Sequence, residues 1–214
     1  MILNDVITEV RRLLQDETAT FRYSDTFLLA LCNQTLKRIA ILRPDLFALT
    51  STITCVQSTV VQTIPTDGIR LIEVYSVVGG NALVETNREV LDQTIPAWVS
   101  DSEAAAQNWM RNVRNPYKFF IYPKAPAAQV LNLEYAQTPP DYTGTATVAL
   151  LPDGFFPVVV DGTMWLAESI DNEHVTAGRA ALFQQSFTSQ LQVSLQSRSV
   201  TDTETGGLER EEVI

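Results

Sequence analysis

The sequence predicts an α+β protein in which both ends of the chain form a helical bundle and the middle forms an inserted antiparallel β-sandwich or barrel. Apolar residues recur at helical spacing over 1–48 and again over 152–197. Between them, over 49–151, β-branched residues alternate with polar ones, and Pro and Gly separate short segments. Residues 198–214 contain few apolar groups and several acids, which is typical of a flexible, extended C-terminal tail. These three observations define a discontinuous helical domain, a β domain and an acidic tail.

The first two helices are expected at 3–15 and 25–43. Asn4 is predicted to cap the first helix, and Ser24 offers a side-chain acceptor at the start of the second. Pro44 ends the second helix, because the residue before a proline is restricted to extended conformations. The short connection between the two helices predicts a helical hairpin.

The middle region is predicted to contain one short helix among a series of strands. The helix at 87–93 is favoured by its residue types and is stopped at Pro96. Short strands at regular spacing favour a sandwich or barrel over a parallel sheet with crossover helices. The strands are expected at 51–56, 59–64, 69–78, 82–85, 107–113, 117–122 and 130–136.

Two further helices are expected after the β region. The first covers 153–170, where Pro157 is tolerable only in the first turn. The second is predicted to begin with Asn172 as its cap and to continue through Leu195. The helical material therefore lies at both ends of the chain, and its two parts should pack together as a bundle.

Composition and charge exclude several classes of function. The chain has 214 residues and a formal net charge of −10, so it would repel a DNA duplex instead of gripping it. Cys32 and Cys55 provide neither a disulfide framework nor a metal-binding spacing, and both are expected to be buried in a reducing compartment. The start of the chain lacks a secretory signal, and the longest apolar run, 155–160, is too short for a membrane span. We expect a soluble protein that is made in the cytoplasm and has no contact with a membrane.

Catalytic chemistry finds little support in the sequence. His174 is the only histidine, so a Ser-His-Asp or Cys-His site would have to use it. A lone histidine without Cys or His partners nearby cannot form the usual zinc sites. The phosphate-binding, dinucleotide-binding and serine-hydrolase motifs are absent. A glycosidase carboxylate pair needs no fixed spacing, and nothing recommends a particular pair. We therefore expect no enzyme activity, no cofactor and no metal.

A set of aromatic residues in the β region has two interpretations. They could line a sugar platform or a stacking surface for single-stranded nucleic acid, or they could be strand and core packing, which is the commoner use. Nine acids against six bases over 48–150 disfavour nucleic acid. The residues are Trp98, Trp109, Tyr117, Phe119, Phe120 and Tyr122.

Several short motifs together resemble a known family. Their order and spacing cover most of residues 10–190. They resemble the head-to-tail adaptors, or connectors, of tailed phages, which are related in architecture to the tail tubular protein A of short-tailed phages. The motifs are Leu13-Leu14-Gln15-Asp16-Glu17, Arg22-Tyr23-Ser24-Asp25, Leu42-Arg43-Pro44-Asp45, Ile64-Pro65-Thr66-Asp67-Gly68-Ile69-Arg70-Leu71, Arg88-Glu89-Val90-Leu91-Asp92 with Pro96-Ala97-Trp98, Phe119-Phe120-Ile121-Tyr122-Pro123, Tyr135 with Thr138-Pro139-Pro140, and Leu151-Pro152.

The resemblance implies a structural protein of the virion at the head-to-tail junction. Such a protein would form a homo-oligomeric ring of roughly twelve copies beneath the portal protein. It would carry the tail nozzle or tail tube protein below and let DNA pass through its lumen without specific binding. The tail 198–214 is expected to dock on the portal, with Leu208, Val213 and Ile214 as apolar anchors. The alternative is a tail-associated glycan-binding or glycan-cleaving module that uses the aromatic-rich β region, in which Trp98→Ala or Trp109→Ala would abolish sugar binding.

Overall fold

The computed structural model describes residues 1–18, 20–101, 104–170 and 178–206, with side chains described as far as residue 192. The chain divides into two compact units. The first contains Met1–Leu42 and the chain from Pro140 onward, and the second is Arg43–Pro139. The helices of the bundle therefore belong to the first unit and the strands to the second, as expected for an α+β fold.

The first unit is helical throughout its regular elements. Its residues form helices because apolar side chains repeat at a period that matches one helix face. The helices are α1 (Leu3–Leu14), α2 (Asp25–Leu42), α4 (Phe156–Glu168) and α5 (Arg179–Gly206).

The two N-terminal helices pack against each other, so the predicted helical hairpin is confirmed. The Ser24 hydroxyl accepts the Phe27 N–H at 3.2 Å, which is the predicted cap of α2. The predicted role of Asn4 is wrong. Helix α1 begins at Leu3 with no side-chain cap, and the Asn4 N–H donates instead to the carbonyl of Gly144 at 2.9 Å.

Helix α4 is the centre of the first unit and packs against α1, α2 and α5. Pro157 lies in its first turn, as the sequence requires. Close packing depends on Gly162, since a Cβ there would lie 2.5 Å from Thr35 Cγ2 and 2.9 Å from Phe187 Cδ2. The Thr163 hydroxyl donates to the carbonyl of Val159, so its burial leaves no unpaired donor.

Helix α5 is longer than the sequence indicates. The predicted helical domain ends at 197 and the tail begins at 198, whereas α5 continues to Gly206. Residues 198–205 contain neither proline nor glycine, so the first strong helix breaker on this segment is Gly206 itself. The predicted cap Asn172 lies outside the described residues.

The second unit contains seven strands and one α-helix among its described residues. The strands agree with the predicted ones to within a few residues at each end. They are β1 (Ala48–Thr54), β2 (Val61–Thr63), β3 (Gly68–Val77), β4 (Val84–Glu85), β5 (Asn108–Arg111), β6 (Lys118–Tyr122) and β7 (Val130–Gln137), and the helix is α3 (Arg88–Thr94) with Asn87 as its cap.

The strands form two sheets that share one core. The order is β1-β7-β3 in the first sheet and β2-β6-β5-β4 in the second. Leu133 of β7, Trp109 of β5 and Phe119 of β6 belong to the same buried cluster, so side chains from both sheets meet between them. On the opposite face of the second sheet, Met110 packs with Trp98 and with Leu91 of α3. The arrangement is a sandwich with a helix covering one outer face.

One strand pair departs from the predicted antiparallel arrangement. β4 and β5 run parallel, with Val84 opposite Asn108 and Glu85 opposite Trp109. A parallel pair needs a crossover connection, and α3 lies within the connection between these strands. The second sheet is therefore mixed, and the strictly antiparallel prediction is wrong at this edge.

Candidate assembly surfaces

The two cysteines are buried free thiols, as predicted. Burial raises the pKa of Cys32 to about 11 and has the same effect on Cys55, whose pKa also rises to about 11. A thiol with so high a pKa is protonated at neutral pH and is a poor nucleophile. Neither residue provides a reactive group on the surface.

The other candidates for catalysis or metal binding are His174 and clusters of possible metal ligands. His174 is not among the described residues. Within those residues, no cluster of three or more His, Cys, Asp or Glu side chains is arranged to hold a metal ion.

The predicted aromatic platform is not one continuous surface, because three of its six residues are buried, Phe120 and Tyr122 are partly buried and Tyr117 is 50% exposed. Trp98 and Trp109 are each 1% exposed, and Phe119 is fully buried. The Trp98 Nε1–H donates to Asp92 Oδ1 at 2.6 Å, and its ring makes an edge-to-face contact with Phe120 at 6.2 Å between centroids. Trp98 packs with Leu91 of α3, whereas Trp109 and Phe119 lie in the core between the two sheets, so neither tryptophan can stack on a sugar ring without unfolding the unit.

A polar groove of about 810 Å³ opens between α3 and the β5–β6 connection of the second unit. Two pairs of opposite charges lie within its lining, Arg111 with Glu85 and Arg88 with Asp92. The Arg111 Nε donates to Glu85 Oε1 at 3.0 Å, and Arg88 lies 3.6 Å from Asp92 and over the ring of Phe120. Two of the three arginines that line the groove therefore already have carboxylate or ring partners.

The connection between α1 and α2 is held by a buried charge network that the sequence pattern did not reveal. The Arg11 guanidinium, in a residue 7% exposed, donates to Asp16 Oδ2 at 3.0 Å, to Asp25 Oδ1 at 2.6 Å and to the carbonyl of Tyr23 at 2.8 Å. Asp16 also accepts the backbone N–H of Arg22 at 2.8 Å. The sequence places Arg11 and Arg12 side by side, and only the fold shows that Arg11 points inward while Arg12 pairs with Glu9 at the surface.

A second groove, of about 450 Å³, runs along α2. One wall is residues 141–142, which a reciprocal pair of hydrogen bonds fastens to the helix. Asn33 Nδ2 donates to the carbonyl of Tyr142 at 3.0 Å, and the Tyr142 N–H donates to Asn33 Oδ1 at 2.9 Å. Lys37 adds a 2.6 Å ion pair with Asp141. These hydrogen bonds and the ion pair fix the shape of the groove within the first unit.

The predicted portal anchors Leu208, Val213 and Ile214 lie outside the described residues. Over the part of the chain that is described, none of the helices combines the length and the apolar character that a membrane crossing requires. The described surface therefore offers grooves and helix faces as its candidate sites.

The described residues form an α+β fold with a helical unit and a β-sandwich unit, in which Trp98 and Trp109 are buried and two grooves are open. The model of the SU10 adaptor protein family matches residues 1–209, and the chain belongs to that family. It is a bacteriophage structural adaptor of the virion that interacts with other head and tail components. The family is one of structural adaptors and is not an enzyme family. No curated protein matches the chain.

Proposed function

We propose that this protein is a head-to-tail adaptor that forms a ring below the portal, joins the capsid to the tail and provides a passage for the genome. The observation that carries the proposal is the family match over residues 1–209, which includes both units. The resemblance to the tail tubular protein A group belongs to the same proposal.

The charge of the chain supports a passage that does not hold DNA. The net charge is −10, and the second unit, residues 43–139, contains nine acids against seven bases. The rest of the chain therefore contains sixteen acids against eight bases and carries most of the acidic excess. A lumen lined by such a surface repels phosphates, so the duplex can slide through it.

The two-unit organisation supports assembly at a junction. Each unit has its own buried side chains, so each can present a separate surface. A heterologous contact repeated around an axis closes into a ring, here of roughly twelve copies, if the rotation fits. In this proposal the helical segments 1–48 and 152–197 pack into the ring and against the portal, while the β domain 49–151 faces the tail nozzle or tube protein.

The C-terminal residues are proposed to anchor the adaptor on the portal. Leu208, Val213 and Ile214 are apolar positions within an acidic segment, a pattern that suits a segment that orders on its partner. Deletion of 207–214, which leaves α5 complete, should abolish binding to a purified portal ring. As a control, replacing Glu209, Glu211 and Glu212 with Gln keeps the apolar anchors. Unchanged portal affinity after the deletion would refute the anchor.

Imaging of the intact particle tests the main proposal. We expect density for a ring of this chain between the portal and the tail. Its absence from mature particles, or a position at the tail tip, would contradict the head-to-tail role.

A further inference from the structure

Over residues 180–192, where its side chains are described, the exposed face of α5 is uncharged in a strongly acidic chain. From Ala180 to Ser197 the sequence contains no Asp, Glu, Lys or Arg. The part of α5 whose side chains are described exposes small, amide and hydroxyl residues together with one large apolar residue, Leu182, which is 67% exposed. The face includes Ala181, Leu182, Gln185, Thr188, Ser189 and Gln192.

The opposite face of α5 packs and hydrogen-bonds within the first unit. Phe187 and Leu191 are buried, and the Ser186 hydroxyl and the Gln190 amide both donate to Asp161 Oδ2 at 2.6 Å. The neutral residues on the outer face are therefore not required by the packing of α5 on α4.

Charge distribution favours a second copy of the chain as the partner of this face. The outer face of a solvated helix normally carries charged residues. Two copies of a chain with net charge −10 repel each other, so a contact between them costs least where acids are absent. The face of α5 meets this condition, although the chain outside the second unit has twice as many acids as bases.

The groove along α2 offers a complementary surface. Residues 26–42 contain no acid, and Ala30 and Gln34 are exposed on the groove side. Ile41, at the end of the same helix, is 67% exposed. The groove is lined in part by Thr26, Leu29, Ala30, Gln34 and Tyr142, and its acid, Asp141, is paired with Lys37 at 2.6 Å. The lining is therefore a mixed surface without net charge and with room for an aliphatic side chain.

We propose that the outer face of α5, centred on Leu182, packs into the α2 groove of a second copy. The inference rests on the proposed ring, because a contact between two different surfaces of the same chain is heterologous and propagates from copy to copy until it closes. Leu182 is the apolar anchor of this contact, and the neutral amides around it exclude water without bringing acids together.

Disulfide cross-linking tests the contact on the full chain. The native thiols of Cys32 and Cys55 are buried, so engineered cysteines are the accessible ones. The double variant Leu182→Cys with Gln34→Cys should give a ladder of covalently linked oligomers on oxidation. The variant is oxidised alone at high concentration and in the presence of portal rings, and the ladder should stop at the number of copies in one ring. Either single variant should give no ladder, because a heterologous contact does not bring two copies of the same residue together.

Two controls match these variants. Val113 is 93% exposed and lies in the second unit, so Val113→Cys with Gln34→Cys measures random collision. Gln185→Glu places an acid on the α5 face, and Gln93→Glu makes the same change at an exposed position of α3. We expect Gln185→Glu to weaken self-association about tenfold or more and Gln93→Glu to leave it unchanged.

The possible outcomes distinguish a failure of the proposed contact from a failure of the proposed head-to-tail role. A ladder specific to the Leu182 and Gln34 pair supports the contact. Rings that form without this cross-link, or that form equally well with Gln185→Glu, overturn the contact and leave the head-to-tail role standing. A wild-type chain that never self-associates, even on portal rings, overturns both.

Discussion

Asn33 holds Tyr142 by both of that residue's backbone polar groups, with its amide nitrogen 3.0 Å from the carbonyl oxygen and its amide oxygen 2.9 Å from the backbone nitrogen. The two residues are 109 positions apart in the chain. Asn33 is 7% exposed, so this pairing also satisfies an amide that burial would otherwise leave without partners. An asparagine in the middle of a largely apolar helix thus joins the N-terminal helices to the chain that returns from the second unit.

The first prediction concerns this pair. Asn33→Ala removes both hydrogen bonds and leaves backbone groups of Tyr142 unpaired, so we expect a loss of about 1–3 kcal/mol in the free energy of unfolding. Urea denaturation measures it. Gln34→Ala, at the adjacent exposed position, is the control and should change stability by less than about 0.5 kcal/mol. Equal effects of the two changes would show that the pairing does not stabilise the fold.

The second prediction concerns the Arg11 network. Arg11→Met leaves Asp16, which is 9% exposed, without its cation, and breaking a buried pair in this way typically costs about 3–5 kcal/mol. The adjacent Arg12 forms an exposed pair with Glu9, so Arg12→Met should be indistinguishable from the wild type. Thermal unfolding of the two variants makes the comparison. If both variants unfold alike, the buried network does not hold the α1–α2 connection.

The third prediction concerns the glycine in α4. Gly162→Ala places a methyl group against Thr35 and Phe187, and overpacking of this kind costs about 1–3 kcal/mol, more than the helix propensity that alanine gains. Gly154→Ala is the matched control, because a Cβ at that position meets no atom within 4 Å. Chemical denaturation should show a loss only for Gly162→Ala. A stabilised Gly162→Ala variant would mean that α2 and α5 can move away from α4 at little cost.

The fourth prediction concerns the thiols and pH. The pKa values of Cys32 and Cys55 are raised to about 11, so raising the pH from 7 to 9 should not make either thiol reactive in the native protein. Because the pKa of each thiol is higher in the folded than in the unfolded chain, the folded state favours the neutral thiol. The resulting contribution to the free energy of unfolding is complete below pH 9 and is lost as the pH rises through 11. Labelling with a chromogenic disulfide reagent, with and without denaturant, measures the exposure. Rapid labelling of the native chain at pH 8 would contradict the burial of these residues.

The sequence by itself determined the α+β class, the helical ends and the approximate place of each strand. These features depend on local periodicity, capping and turn residues, which act within a few positions of the chain. Ser24 as the cap of α2 and Pro157 in the first turn of α4 are examples that the structure confirms. Asn4 is not a cap because α1 begins at Leu3, which places Asn4 inside the first turn, where its N–H donates to the carbonyl of Gly144. Nothing near Asn4 in the sequence indicates that contact.

Only the tertiary structure decided which side chains are available for binding. A tryptophan in the sequence looks the same whether it lines a surface or fills a core. The structure buries Trp98 against α3 and Trp109 between the two sheets. The inward direction of Arg11 and the groove formed by α2 with Tyr142 likewise depend on residues far apart in the chain. Burial and long-range pairing are properties of the packed chain, because they depend on which elements meet and not on the order of residues within one element.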